Sequence, residues 1–299
     1  MNQPKTAYKY LLIAAVLQII WGFVPSASKY VIEEIPVELY IAMRWTISGA
    51  IFLSYLYITK KWKPLSFENL LMVSILGICG YGLASFGTLY GLKIGGVTNY
   101  SLMAALAPIV TSVLSIILLR ERPHKLFLLA LPLAVLGLVL LVVGKYEISS
   151  LSIAGVSAVL VIGAYILEAL VFVFSKRLKD SMSAPQYLAV GQLATAGFMW
   201  VLQISFFHQT SQLSNLTIKG ASAAIFVCIV ACVLCYAILY WLLTYMDGHK
   251  LALFEGFHPL SATLFAYFLF HEPLRPLMVV GGLFIMIGLV AGNLPGPTD

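Results

Sequence analysis

Residues 253–274, LFEGFHPLSATLFAYFLFHEPL, form an apolar stretch that repeats an earlier part of the chain. At a constant offset of 151 positions it aligns with residues 102–123, LMAALAPIVTSVLSIILLRERP. Both stretches carry an internal proline and end in a glutamate, at Pro108 and Glu121 in the first and at Pro259 and Glu272 in the second. Because both residue types are scarce in apolar segments, the match predicts two related halves, residues 1–147 and 148–299.

The composition of the chain identifies the environment of these halves. Of its 299 residues, 61% are hydrophobic and only 10% are charged, against about 25% charged in a typical soluble domain. Ten apolar runs are long enough to cross a bilayer as helices. They cover residues 8–32, 37–58, 68–92, 97–119, 125–144, 152–175, 184–207, 221–245, 249–270 and 275–294. The sequence therefore predicts an all-α polytopic membrane protein with ten transmembrane helices.

The orientation of the spans follows from the basic residues, which accumulate on the cytoplasmic side of membrane proteins. With a cytoplasmic N-terminus, 12 lysines and arginines fall on the cytoplasmic side and 5 on the opposite side. This bias predicts a multi-pass protein of the bacterial cytoplasmic (inner) membrane with both termini in the cytosol. It also accounts for the net charge of +6, and the basic clusters are too short and scattered to predict a nucleic-acid partner.

Each predicted half contains five spans, so the second half has to enter the membrane from the opposite face. A weaker match supports the repeat, because the Ser-Lys pair at 28–29 aligns with that at 175–176 at an offset of 147. Two inverted five-helix repeats are an architecture of alternating-access transporters, in which the substrate site lies near the midplane where the repeats meet. The pattern alone thus indicates a transporter.

Short motifs give the same indication. The chain carries WG at 21–22, MRW at 43–45 and, twice, a span with an internal proline and a closing glutamate. In these features, and along essentially its entire length, it resembles the EamA branch of the drug/metabolite transporter superfamily. The resemblance implies ten helices in two inverted repeats and movement of a metabolite across the cytoplasmic membrane, commonly its export. Ionisable side chains at 168, 255 and 258 depart from the general family pattern, and we expect them to be this member's own substrate determinants.

Four ionisable residues inside the predicted spans are the main candidates for a substrate site: Arg44, Glu168, Glu255 and His258. Such side chains are costly at bilayer depth, so they usually face a cavity or a partner. Glu255 and His258 lie three positions apart on one helix face, where they are expected to bind a substrate ammonium or a coupling proton. Arg44 is expected to attract the anionic end of the substrate. The alternative is structural, with Arg44 paired to one of the glutamates and His258 donating to a backbone carbonyl.

Uncharged residues near mid-depth form a second group of candidates: Gln18, Trp21, Tyr165 and Gln192. Trp21 occupies the position in the first half that Glu168 occupies in the second, and an aromatic wall facing a carboxylate suits an organic cation or a zwitterion. Packing in the core or at the membrane interface is the alternative for each of them. Glu121 and Glu272, at span boundaries, are expected to cap helix ends instead.

The leading hypothesis is a secondary active transporter, an exporter or an exchanger, for an amino acid or an amino-acid derivative. An exchanger for a nucleoside-bearing metabolite such as S-adenosylmethionine is the alternative, and a passive channel is disfavoured because no span carries a continuous polar stripe. The sequence contains neither an HExxH motif nor a GxxxxGK[ST] loop, so no enzymatic activity, catalytic residue, metal or cofactor is expected. The expected partners are a small-molecule substrate, a proton or counter-substrate, and the lipid bilayer. Because one chain contains both predicted halves, a monomer is expected to suffice for function, and an oligomer is compatible with the sequence.

Overall fold

The computed structural model describes residues 4–104, 151–175, 182–242, 257–272 and 274–293, with short pieces between 106 and 140 and the single residues 245 and 254. Within these residues every regular element is helical. The α-helices are α1 (Pro4–Glu34), α2 (Val37–Thr59), α3 (Phe67–Gly77), α4 (Ala84–Ala104), α5 (Leu151–Ser175), α6 (Ala184–Leu202), α7 (Ile218–Ile225), α8 (Tyr236–Leu242), α9 (Phe257–Phe270) and α10 (Pro276–Asn293). Three π-helical stretches continue α3, α6 and α7, at Ile78–Leu83, Gln203–Phe207 and Phe226–Cys235.

The predicted multi-pass membrane architecture is confirmed. Five described helical stretches are long and apolar enough to cross a bilayer, namely Lys9–Glu34, Val37–Thr59, Phe67–Ser101, Ala184–Phe207 and Ile218–Leu239. Large apolar side chains such as Tyr57, Val159 and Phe206 are exposed on the helices, as expected where lipid replaces water as the solvent. The total of ten spans stays a prediction, because most of the fifth predicted span and parts of the fourth and ninth lie outside the described residues.

The third and fourth predicted spans meet at Gly96 without an intervening loop. Gly96 divides α4 into two helical segments, because its φ of 75° interrupts the helical backbone. Glycine adopts this left-handed conformation without the steric cost that a side chain adds. The backbone break at Gly96 therefore takes the place of the short loop that the hydrophobicity pattern predicts between these two spans.

Close approach of helices depends on glycine at two further positions. A Cβ atom added to Gly77 of α3 would lie 2.5 Å from the Cα of Gly191 in α6. A Cβ atom added to Gly22 of α1 would lie 2.9 Å from the carbonyl oxygen of His258 in α9. Small residues are favoured at such contacts because membrane helices associate by packing rather than by withdrawal from water.

The helices of the two predicted halves are interleaved. Helix α2 packs along α6, α1 packs against α7 and α9, and α4 packs against α5. The core between them contains Tyr40 and Trp45 of α2 and Met199 of α6, all of them buried. The interior of the bundle is consequently lined by side chains from both halves.

Candidate substrate site

Arg44 places a positive charge in the interior of the bundle. Its Nε donates a hydrogen bond to Cys232 Sγ at 3.1 Å, and its guanidinium carbon lies 4.3 Å from the centroid of the Trp45 ring. Among the residues that the structure describes, the one ion pair within 4 Å joins Lys29 to Glu272 instead. The Arg44 charge is thus held by a thiol and an aromatic face, neither of which neutralises it.

Glu168 supplies the opposite charge from α5. It lies seven residues before the end of that helix, about 10 Å along its axis, yet its side chain is exposed. The carboxylate shares a helix face with Ser157 and Val161, eleven and seven positions earlier, and both of these are buried. The lipid-exposed Val159 and Ile166 lie about 180–200° away around the helix. Glu168 therefore lies on the face of α5 that packs into the bundle.

The charges of Arg44 and Glu168 act on each other without forming a contact pair. Arg44 contributes electrostatically at the Glu168 carboxylate, but no ion pair within 4 Å joins them. The predicted structural alternative, in which these two residues lock together, is not what the structure shows. Opposite charges that act on each other without forming an ion pair suit a ligand that carries both signs.

Two tyrosines border the Glu168 carboxylate. Tyr165, one turn earlier on α5, is buried, and its hydroxyl interacts through a hydrogen bond with that of Tyr100 on α4. Both hydroxyls are near enough to Glu168 to interact with it electrostatically. The sequence singled out Tyr165 but missed Tyr100, which resembles any tyrosine near the end of a span.

Trp21 and His258 join α1 to the second half. Trp21 Nε1 donates to the carbonyl oxygen of Ala231 at 3.3 Å. The half-buried His258 ring hydrogen-bonds to the backbone carbonyl of Trp21, which matches the structural alternative considered for this residue. Helix α1 is thereby held against α9 beside the close contact at Gly22.

A row of four aromatic rings leads from Trp21 to Arg44. The ring centroids are 5.6 Å apart between Trp21 and Tyr236, 6.5 Å between Tyr236 and Tyr81, and 4.8 Å between Tyr81 and Trp45. Trp45 in turn supports the guanidinium of Arg44. The row gives the region around Arg44 an aromatic wall drawn from both halves.

Gln192 and Gln18 are both buried. Gln192 is fully buried, and its Oε1 accepts a hydrogen bond from Ser48 Oγ at 2.7 Å. Ser48 Oγ is also 3.1 Å from the carbonyl oxygen of Cys232, which links this group to the thiol that holds Arg44. Gln18 is buried three positions before Trp21. Gln192 is thus linked to the neighbourhood of Arg44, whereas Gln18 is placed only by its burial on α1.

Glu255 lies outside the described residues, so its predicted pairing with His258 stays a prediction. Within the described part of the chain no group of three or more His, Cys, Asp or Glu side chains is arranged to hold a metal ion. The arrangement that the structure does present is a guanidinium, an inward carboxylate, two hydroxyls and an aromatic wall. These groups recognise polar organic molecules by charge and stacking.

Comparison with known proteins relates this geometry to a family of transporters. The model of the EamA-like transporter family matches residues 8–143 and again residues 155–293. Two matches in one chain confirm the predicted two-repeat membrane fold, while the boundary at 147/148 stays a prediction.

Relatives in Bacillus subtilis (strain 168) share nearly the full length of the chain. The uncharacterized transporters YetK, YoaV and YyaM are 26%, 23% and 26% identical to it, over 93%, 94% and 89% of this chain and 86%, 95% and 87% of their own lengths. A protein of known crystal structure, 18% identical, superposes with a TM-score of 0.65 over 95% of this chain and 96% of that one. The superposition shows a shared fold.

Proposed function

Since this chain belongs to the EamA-like transporter family, we propose that it is a secondary active transporter for an amino acid or an amino-acid derivative. It acts in the bacterial cytoplasmic membrane, with both termini in the cytosol, by alternating access between the two faces. The observation that carries the proposal is the pair of opposite charges, Arg44 and Glu168, which face one interior without contacting each other.

The substrate class follows from what such a pair recognises. A carboxylate binds the guanidinium of Arg44 through charge-assisted hydrogen bonds, and an ammonium binds Glu168. An amino acid carries both groups on adjacent atoms and can bridge the space between the two side chains. Among the described residues, Glu168 and His258 can also bind a coupling proton. Coupling to protons and exchange against a second metabolite are therefore both compatible with the site.

A nucleoside-bearing metabolite such as S-adenosylmethionine is the second candidate. It carries the same ammonium and carboxylate, and the row of aromatic rings between Trp21 and Trp45 favours it because bases stack on aromatic side chains. A substrate screen that includes both classes separates the two candidates.

Substrate counterflow in proteoliposomes tests the proposed function. We expect saturable counterflow with amino-acid substrates, which a passive channel does not show. Replacing Glu168 with glutamine is expected to reduce kcat/KM for substrates with an ammonium group about thirtyfold, because the substrate charge then enters the bundle unpaired. Substrates without an ammonium group are expected to lose much less.

Glu68→Gln is the matched control for this experiment, since Glu68 is an exposed glutamate in the first turn of α3. It is expected to transport at the unmodified rate. Normal transport by a double variant, Glu168→Gln with Glu255→Gln, would remove both glutamates from the site.

A further inference from the structure

Glu272 connects three helices at one end of the bundle. It follows α9, and its two carboxylate oxygens accept hydrogen bonds from the backbone N–H groups of Val97 and Thr98 in α4, both at 3.0 Å. Lys29 of α1 completes the cluster, with its Nζ 3.3 Å from Glu272 Oε1. One carboxylate thus joins α1, α4 and α9.

Gly96 creates the place that this carboxylate fills. Its left-handed backbone conformation frees the amides of the next two residues to point at Glu272. A Cβ atom at position 96 would lie 2.9 Å from Glu272 Oε1, so a side chain there would crowd the carboxylate. A helix start with free N–H groups attracts a negative charge, which makes the contact both geometric and electrostatic.

Glu34 makes a reciprocal contact at the same end. This last residue of α1 accepts hydrogen bonds from the backbone N–H and the hydroxyl of Thr217, at 2.9 and 2.6 Å. Thr217 is the N-cap residue of α7. Glu34 of the first predicted half therefore binds a helix start in the second half, whereas Glu272 of the second half binds a helix start in the first.

The geometry points to a carboxylate latch, formed by Glu272 and Glu34, that closes this end of the transporter. Both contacts cross between the predicted halves, so the halves cannot separate here unless the contacts break. Tyr100, beside Glu168, lies within one turn of the helix start that Glu272 caps. Release of the latch is thus expected to shift Tyr100 and, with it, the surroundings of Glu168. This inference rests on the alternating access proposed above, and the predicted orientation places the latch on the external side.

The alternative explanation is that Glu272 is a permanent structural cap. The latch and the permanent cap predict different exposure of buried thiols when the contact is weakened. Cys228 and Cys232 are buried near Arg44, deep inside the bundle. If the latch keeps the external end closed, weakening it exposes these thiols from outside. If Glu272 is only a cap, weakening it lowers stability without selective exposure.

Site-resolved alkylation tests the inference without any substrate. A membrane-impermeant maleimide is added to right-side-out vesicles, and modification of each cysteine is quantified by peptide mass spectrometry. Glu272→Gln is expected to raise the labelling rate of Cys228 and Cys232 about fivefold, the population shift that corresponds to the loss of one helix cap. Lys29→Gln, which removes the ion pair but leaves the cap, is expected to raise it about twofold.

Glu33→Gln is the control, because Glu33 is exposed at the same end of α1. If thermal unfolding shows that both variants are folded, equal labelling rates in Glu272→Gln and Glu33→Gln overturn the latch proposal. Should Glu272→Gln fail to fold, wild-type labelling in Lys29→Gln overturns it instead. An increase confined to inverted vesicles contradicts the external assignment. Failure of the transport proposal would appear only in counterflow, so the two failures are distinguishable.

Discussion

Replacing Arg44 with glutamine is expected to lower kcat/KM for a carboxylate-bearing substrate by about thirtyfold or more. One N–H of the guanidinium is used by Cys232, and no carboxylate of the described residues contacts the rest. The other N–H groups are therefore expected to bind the substrate carboxylate, and glutamine removes both the charge and these paired donors. Counterflow in proteoliposomes measures the loss.

The pattern of related variants distinguishes binding from folding. Arg44→Lys keeps the charge but not the planar fork, so it is expected to retain part of the activity. Arg275→Gln removes an exposed arginine and is expected to transport at the unmodified rate. Equal activity in Arg44→Gln and Arg275→Gln would exclude Arg44 from the substrate site.

Gly77→Ala is expected to lower the free energy of unfolding by about 1–3 kcal/mol. The added methyl group would meet the backbone of Gly191, which cannot move aside as a flexible side chain can. Helices α3 and α6 would then have to separate, with loss of packing along both. Thermal unfolding in detergent micelles measures the change.

Gly197→Ala is the matched control, on the same helix as Gly191. Among the described residues, no atom lies within 4 Å of a Cβ built at position 197. Since alanine has the higher helix propensity, this change is expected to be neutral or to stabilise the protein by up to about 1 kcal/mol. Similar destabilisation by both variants would show that close packing at Gly77 is not the cause.

The spans could be predicted from sequence because bilayer thickness fixes their length. The second and seventh predicted spans, 37–58 and 184–207, match the observed Val37–Thr59 and Ala184–Phe207 closely. A break between residues 92 and 97 was predicted, but its form, a single left-handed glycine at position 96, was not, because a left-handed residue leaves no mark in hydrophobicity. Glu272 was expected to cap a helix end, and it does. The helix that it caps could not be identified from sequence proximity, because Val97 and Thr98 lie about 175 positions away.

The charged members of the candidate site were recognisable because a charge in an apolar run is costly and needs a reason. Their neighbours were not recognisable. Tyr100 and Tyr236 are two of 16 tyrosines, and nothing in their local sequence separates them from tyrosines at the membrane interface. Cys232 was not among the predicted site residues, since its contact with Arg44 depends on how two distant helices are placed.

The π-helical stretch Phe226–Cys235 determines which side chains of its helix point toward the candidate site. A π-turn takes more residues than an α-turn, so this stretch sets the direction in which every later side chain points. Cys232, within it, meets Arg44, and Tyr236, just after it, meets Trp21. Deleting a single residue upstream would turn both away from the interior while leaving composition and hydrophobicity almost unchanged. Relatives that differ here by one insertion or deletion should consequently be expected to recognise different cargo.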